Sequence, residues 1–226
     1  MVESTTMDIL EGDPNEFVLG HPRRAYFNYT QKKAVVIVVS DYSTLREEEG
    51  KERYLDLPST ITDAAKIEKG LKHLGFAEED IVVLKEPKWN QVHTAILTLA
   101  TELSKANADG ERTLLFAYYA GHGLADQNLQ VQLNETKRYP MEKMLRSIAK
   151  MDGSYVMGLF DCCRERIPAL ETRGGGEAAD DDGLAAGGMS LPESQENFII
   201  TYGCPPTEGV PAKSTIAKAY IKYLKQ

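Results

Sequence analysis

Apolar residues recur along this chain in two alternating rhythms. Five short runs are continuous and rich in β-branched or aromatic residues: AVVIVVS (34–40), DIVVLK (80–85), TLLFAYY (113–119), SYVMGLF (154–160) and NFIITYG (197–203). Each is strand-length and reads as a buried strand. Between them the period changes. From about Thr62 to His73, Ala64, Ile67, Leu71 and Leu74 fall on one face, and Gly75 suits the stop. Residues 90–106, closed by Asn107-Ala108-Asp109-Gly110, and residues 141–150 predict two more amphipathic helices, and AKSTIAKAYIKYLK (212–225) a last one. TLREEEGKERY (44–54) is polar enough to read as a loop. This alternation predicts an α/β fold, a mostly parallel central sheet flanked by helices on both faces.

Two stretches break the rhythm. Residues 1–32 carry no period, include Gly12-Asp13-Pro14 and His21-Pro22, and read as an extended or wrapping N-terminal segment. Residues 171–196 contain GGG, ADDDG and AAGG, bury nothing by pattern, and read as a flexible acidic loop inside a domain spanning 33–226. A net charge of −8 gives no basic stripe for nucleic acid, and apolar runs such as Ala34 to Val39 are far short of a membrane span. Three cysteines, two of them adjacent, make no disulfide framework and suit a reducing compartment. The expectation is a cytoplasmic protein without nucleic-acid or membrane partners.

The candidate chemistry lies at two strand ends. Tyr118-Tyr119-Ala120-Gly121-His122-Gly123 closes the third strand, and Asp161-Cys162-Cys163-Arg164 closes the fourth. Ligands of open parallel sheets bind at the carboxyl ends of the strands, where both motifs fall. His122 and Cys163 are 41 positions apart, room for a connection, a helix and a strand. An imidazole beside a thiol can take its proton, stabilise the thiolate and later protonate a leaving amine. Strand alternation turns one of Cys162 and Cys163 toward such a site and the other away, without saying which. Gly121 and Gly123 leave room for a substrate backbone and an N–H donor to an oxyanion. Zinc is a poor fit, because the three Cys and four His include no C-x-x-C and no H-x-x-x-H. Trp89 reads as a packing residue and Cys204 as a small buried residue near the cleft.

A strand followed by G-H-G, and about forty residues later a strand ending in D-x-C, resembles the caspase, metacaspase and paracaspase superfamily. Asp161-Cys162-Cys163-Arg164 is similar to the paracaspase D-x-C-R form. Asp63-Ala64 at a helix start and Thr201-Tyr202-Gly203-Cys204 with Glu208 extend the resemblance over about residues 33–226. It implies a caspase-like fold and a cysteine endopeptidase. Cys163 becomes the nucleophile, His122 the general acid/base, and backbone N–H groups of Gly123 and Cys163 the oxyanion donors. Metacaspases and paracaspases cut after basic residues using acidic pockets, so Asp63, Asp161 and Glu208 would bind Arg or Lys in protein or peptide substrates. Arg is favoured for its bidentate fork. Such an enzyme could cut its own loop, with Arg173 and Arg166 as candidates. Many metacaspases use calcium bound beyond the histidine motif. Here that segment, LADQNLQVQLNETK, has one Asp and one Glu, so it offers no clear calcium site, and no metal ligands are assigned. Two alternatives stay open: a catalytically silent binding or scaffold module, with Glu165 obstructing the cleft, and a caspase-type enzyme cutting after Asp.

Overall fold

The computed structural model describes residues 29–49, 54–125, 128–162, 165–166 and 197–203. Cys163, Arg173, Cys204, Glu208, residues 1–28, the 171–196 loop and the 212–225 helix lie outside the described residues. In chain order the elements are β1 (Gln31–Val38), α1 (Ser43–Glu49), α2 (Ser59–His73), β2 (Ile81–Lys85), α3 (Trp89–Ala108), β3 (Thr113–Ala120), β4 (Gly123–Ala125), β5 (Leu129–Val131), α4 (Met141–Ala149), β6 (Ser154–Asp161), β7 (Glu165–Arg166) and β8 (Phe198–Tyr202). Five strands form the main sheet in the order β2-β1-β3-β6-β8, all neighbours parallel. The fold is α/β, as the alternating rhythm predicts, and caspase-like, as the resemblance implies.

Side-chain alternation divides the core between the two faces of this sheet. Val35, Ile37, Leu115, Tyr119, Val156 and Phe160 pack against Val92, Ile96 and Leu103 of α3 and Leu145 of α4. Their neighbours Ala34, Val36, Val38, Phe116, Tyr118 and Leu159 meet Ala64, Ile67 and Leu71 of α2 on the other face. Because both faces are covered, the central strands read as unbroken apolar runs.

Two features depart from the sequence pattern. The segment read as a loop from Thr44 forms α1 over Ser43–Glu49. Its amphipathic signal is only Tyr42 and Leu45, both fully buried. The Asp41 carboxylate accepts the Ser43 N–H at 2.8 Å, supplying the start a bare propensity count does not see. Burying Leu45 stabilises the turn by roughly 1.5–3 kcal/mol. A second, three-stranded sheet, β5-β4-β7, also stands beyond the main one. Its strands are two or three residues long, below the length at which a period can be seen.

Candidate active site

β3 and β6 run side by side in register from Thr113↔Ser154 to Ala120↔Asp161. The two motifs therefore leave the sheet at one level. β4 begins at Gly123, immediately after His122, and pairs in parallel with β7 as Leu124↔Glu165 and Ala125↔Arg166. Pairs on both sides of the motifs are thus offset by 41 residues, from 120 to 161 and from 124 to 165. The same offset relates His122 to position 163.

His122 is half-buried and held at every polar backbone atom. Its N–H donates to the Tyr42 hydroxyl at 2.8 Å, and its carbonyl accepts from Tyr119 Oη at 2.7 Å and Gln132 N at 2.9 Å. The imidazole stands edge-on to the rings of Tyr42 and Tyr54, at centroid distances of 4.6 and 5.5 Å. Nε2 lies 2.9 Å from the Leu55 carbonyl. A carbonyl cannot donate, so this contact puts the proton of the neutral ring on Nε2 and the lone pair on Nδ1. The carboxylate of Asp56 adds a negative potential. Its pKa lies below the ordinary value, chiefly through the bidentate pair with Arg46 and the Tyr42 N–H, with a smaller contribution from His122.

Tyr42 is placed by the turn that follows β1. Glu86 closes β2 with a left-handed backbone, φ 51°, unusual for a residue with a side chain. From there its carboxylate accepts the N–H and hydroxyl of Ser40, with the Asp41 N–H farther away at 3.4 Å. Tyr42, Tyr54, Leu55, Asp56 and Glu86 were not singled out as site residues from sequence. They lie 36 to 80 positions upstream of His122, and only the sheet brings them to it. A regular signal was present only in Tyr119, beside the histidine motif.

Gly121 serves a different purpose from the one its position suggested. A β-carbon there would overlap the hydroxyl oxygens of Tyr119 and Tyr42. The space is filled by the protein's own tyrosines rather than left for a substrate backbone. Gly123 opens β4, is buried, and pairs with Val131.

On the opposite face the structure brings two of the predicted recognition residues together. Asp161 ends β6 and is buried, and Asp63 of α2 is buried too. Burial first, then the carboxylates of Asp161 and Asp63, push the Tyr118 hydroxyl well above its ordinary pKa, so both acids surround one side chain. Asp63 lies in the second turn of α2, which starts at Ser59, so a role at the helix terminus does not account for it. Lys66 Nζ contacts its Oδ1 at 2.8 Å. Cys162 is fully buried in the core on the α3 and α4 face, beside Phe160. Arg166 lies in the paired strand β7. Trp89 packs as its sequence context suggested, stacked on His93 under Lys137. Among the described residues no group of three or more His, Cys, Asp or Glu could hold a metal ion, and no helix is long and apolar enough to cross a membrane.

The family model described as the caspase domain, peptidase family C14, matches residues 31–226. No curated protein matches the chain. Covering nearly all of the sequence, the family match carries the assignment: the chain belongs to the caspase-domain peptidases and is of the cysteine peptidase kind.

Proposed function

Starting from that membership, we propose that the protein is an active cysteine endopeptidase that cleaves protein or peptide substrates after Arg or Lys. Cys163 attacks the scissile carbonyl. His122 receives the thiol proton through Nδ1 and returns it to the leaving amine, and water then hydrolyses the thioester with His122 as base. The backbone N–H groups of Gly123 and Cys163 stabilise the oxyanion. The single observation that carries the assignment is the offset of 41 residues in the pairing on both sides of the motifs. Cys162 supports it from the other direction, since a thiol sealed in the core cannot reach a substrate.

Basic specificity is supported by the two buried carboxylates around Tyr118, which a substrate guanidinium would relieve of their desolvation cost. Glu208 is the third acid of this proposed pocket. Self-cleavage, if it occurs, falls at Arg173 rather than Arg166, because a backbone paired within a sheet is a poor substrate. The test is hydrolysis of fluorogenic peptides ending in Arg, Lys or Asp, with and without calcium, beside Cys163→Ala. Cleavage after Arg or Lys that vanishes in the variant is the expected result. Cleavage after Asp overturns the roles of Asp63 and Asp161. Silence in every arm favours the scaffold module.

A further inference from the structure

We infer that Tyr42 and Tyr119 are positioning residues that clamp the His122 backbone and thereby set the catalytic imidazole, an inference that rests on the peptidase function proposed above. Both rings are fully buried and come from different segments: Tyr42 from the loop after β1, Tyr119 from β3 itself. Their hydroxyl oxygens are 3.5 Å apart. Chemistry limits the hydrogen-bond directions. Tyr42 Oη accepts from His122 N–H, which leaves its own proton for the Gln132 carbonyl at 3.3 Å or the Tyr119 hydroxyl. Tyr119 Oη has one proton for two carbonyls, His122 and Gln132, each 2.7 Å away. One phenol thus meets the backbone of His122 at its N–H and the other at its carbonyl, and the Gln132 carbonyl lies within hydrogen-bond distance of both hydroxyls.

Such a grip matters because His122 lies between two regular segments, one residue past the turn at Gly121 and one before β4. There the sheet ladder reaches it only through the Gln132 N–H on its carbonyl, at 2.9 Å. Gly121 is the complement of the clamp, since any side chain there would push both hydroxyls away. The ring itself is held by Leu55 O through Nε2, but that contact orients a side chain whose root must first be fixed. A displacement of about 1 Å in a catalytic group can cost on the order of a hundredfold in rate.

The experiment is a double-mutant cycle. Tyr42→Phe and Tyr119→Phe are made in the native chain and in a His122→Ala background. The kcat and KM for the best basic peptide and the rate of Cys163 alkylation by iodoacetamide are measured per folded molecule. Each Phe variant is expected to lose roughly tenfold to a hundredfold in kcat with KM within about twofold, and to lose nothing further once His122 is Ala. A Tyr variant equal to the native chain, or one whose loss persists in the His122→Ala background, overturns the inference. Native and His122→Ala chains of equal activity would instead overturn the peptidase reading, which separates the two failures. If a Phe variant does not fold, Gly121→Ala is used in its place, because it displaces the same hydroxyls from the other side; the same outcomes apply.

Discussion

The two faces of the main sheet end differently at the edge where the motifs emerge. On the α3 and α4 face the core finishes in phenols: the hydroxyls of Tyr42 and Tyr119 meet backbone groups of His122 and Gln132, and that of Tyr54 donates to the Gln132 side-chain Oε1. On the α2 face it finishes in carboxylates, Asp63 and Asp161, around Tyr118. Tyr118 and Tyr119 are consecutive residues of one strand, and alternation alone sends them to opposite sides. One face holds the backbone of His122, the catalytic group of the proposed function. The other buries two carboxylates, one of them in contact with Lys66, where the proposed function puts the substrate cation. On that proposal, a single dipeptide at the end of β3 separates orientation from recognition.

That separation can be broken most strongly on the acidic side. Asp161→Asn removes one carboxylate of a desolvated pair, a loss of about 2–4 kcal/mol of transition-state binding. The kcat/KM for an Arg peptide should fall roughly thirtyfold to several-hundredfold, while alkylation of Cys163 by neutral iodoacetamide stays within about twofold. If alkylation collapses as well, the two faces are not independent.

Overpacking tests the phenolic side. Gly121→Ala should lower stability by about 2 kcal/mol, read as a fall in Tm of roughly 4–8 °C. An unchanged Tm would mean that the hydroxyls move aside at no cost.

The phenols also set a pH limit. Burial raises the Tyr42, Tyr118 and Tyr119 pKa values, and that of Tyr139 to about 12. Folded values above the ordinary value of 10.0 mean that the folded state holds these protons more tightly than the unfolded chain. Their contribution is complete below pH 10 and is lost as pH rises toward the folded values. Denaturant midpoints should therefore stay level into mild alkali and fall beyond about pH 10, and Tyr139→Phe should make the fall shallower. An alkaline limb unchanged in that variant would remove Tyr139 from the account.

The smallest effect is expected at Lys66. Its half-exposed ammonium occupies Asp63, and a basic substrate must compete with it. Lys66→Met should lower KM for Arg peptides by up to about fivefold, in line with an exposed pair worth at most about 1 kcal/mol. A rise in KM would show that Lys66 orders the pocket instead of blocking it.

Much of this was legible in the chain. AVVIVVS, TLLFAYY and SYVMGLF announced buried strands because parallel strands covered on both faces have no polar side to show. Gly121-His122-Gly123 and Asp161-Cys162-Cys163 announced the site because strand ends with such residues are chemically distinctive. Leu55 was not legible, since its contribution is a main-chain carbonyl, a group every residue carries. Nor was α1, whose run of polar residues conceals the buried Leu45 that anchors it. Glu86 was invisible for another reason: nothing local distinguishes a carboxylate that will hold a turn 46 residues upstream.

β8 joins the sheet through five parallel residue pairs with β6, from Val156↔Phe198 to Phe160↔Tyr202, and by Phe198, Ile200 and Tyr202 against the α3 and α4 core. A backbone break anywhere between Arg166 and Asn197 severs none of those contacts. The two pieces should consequently migrate as separate bands under denaturing conditions yet elute as one particle in native buffer. In this architecture, chain continuity and structural integrity are different properties.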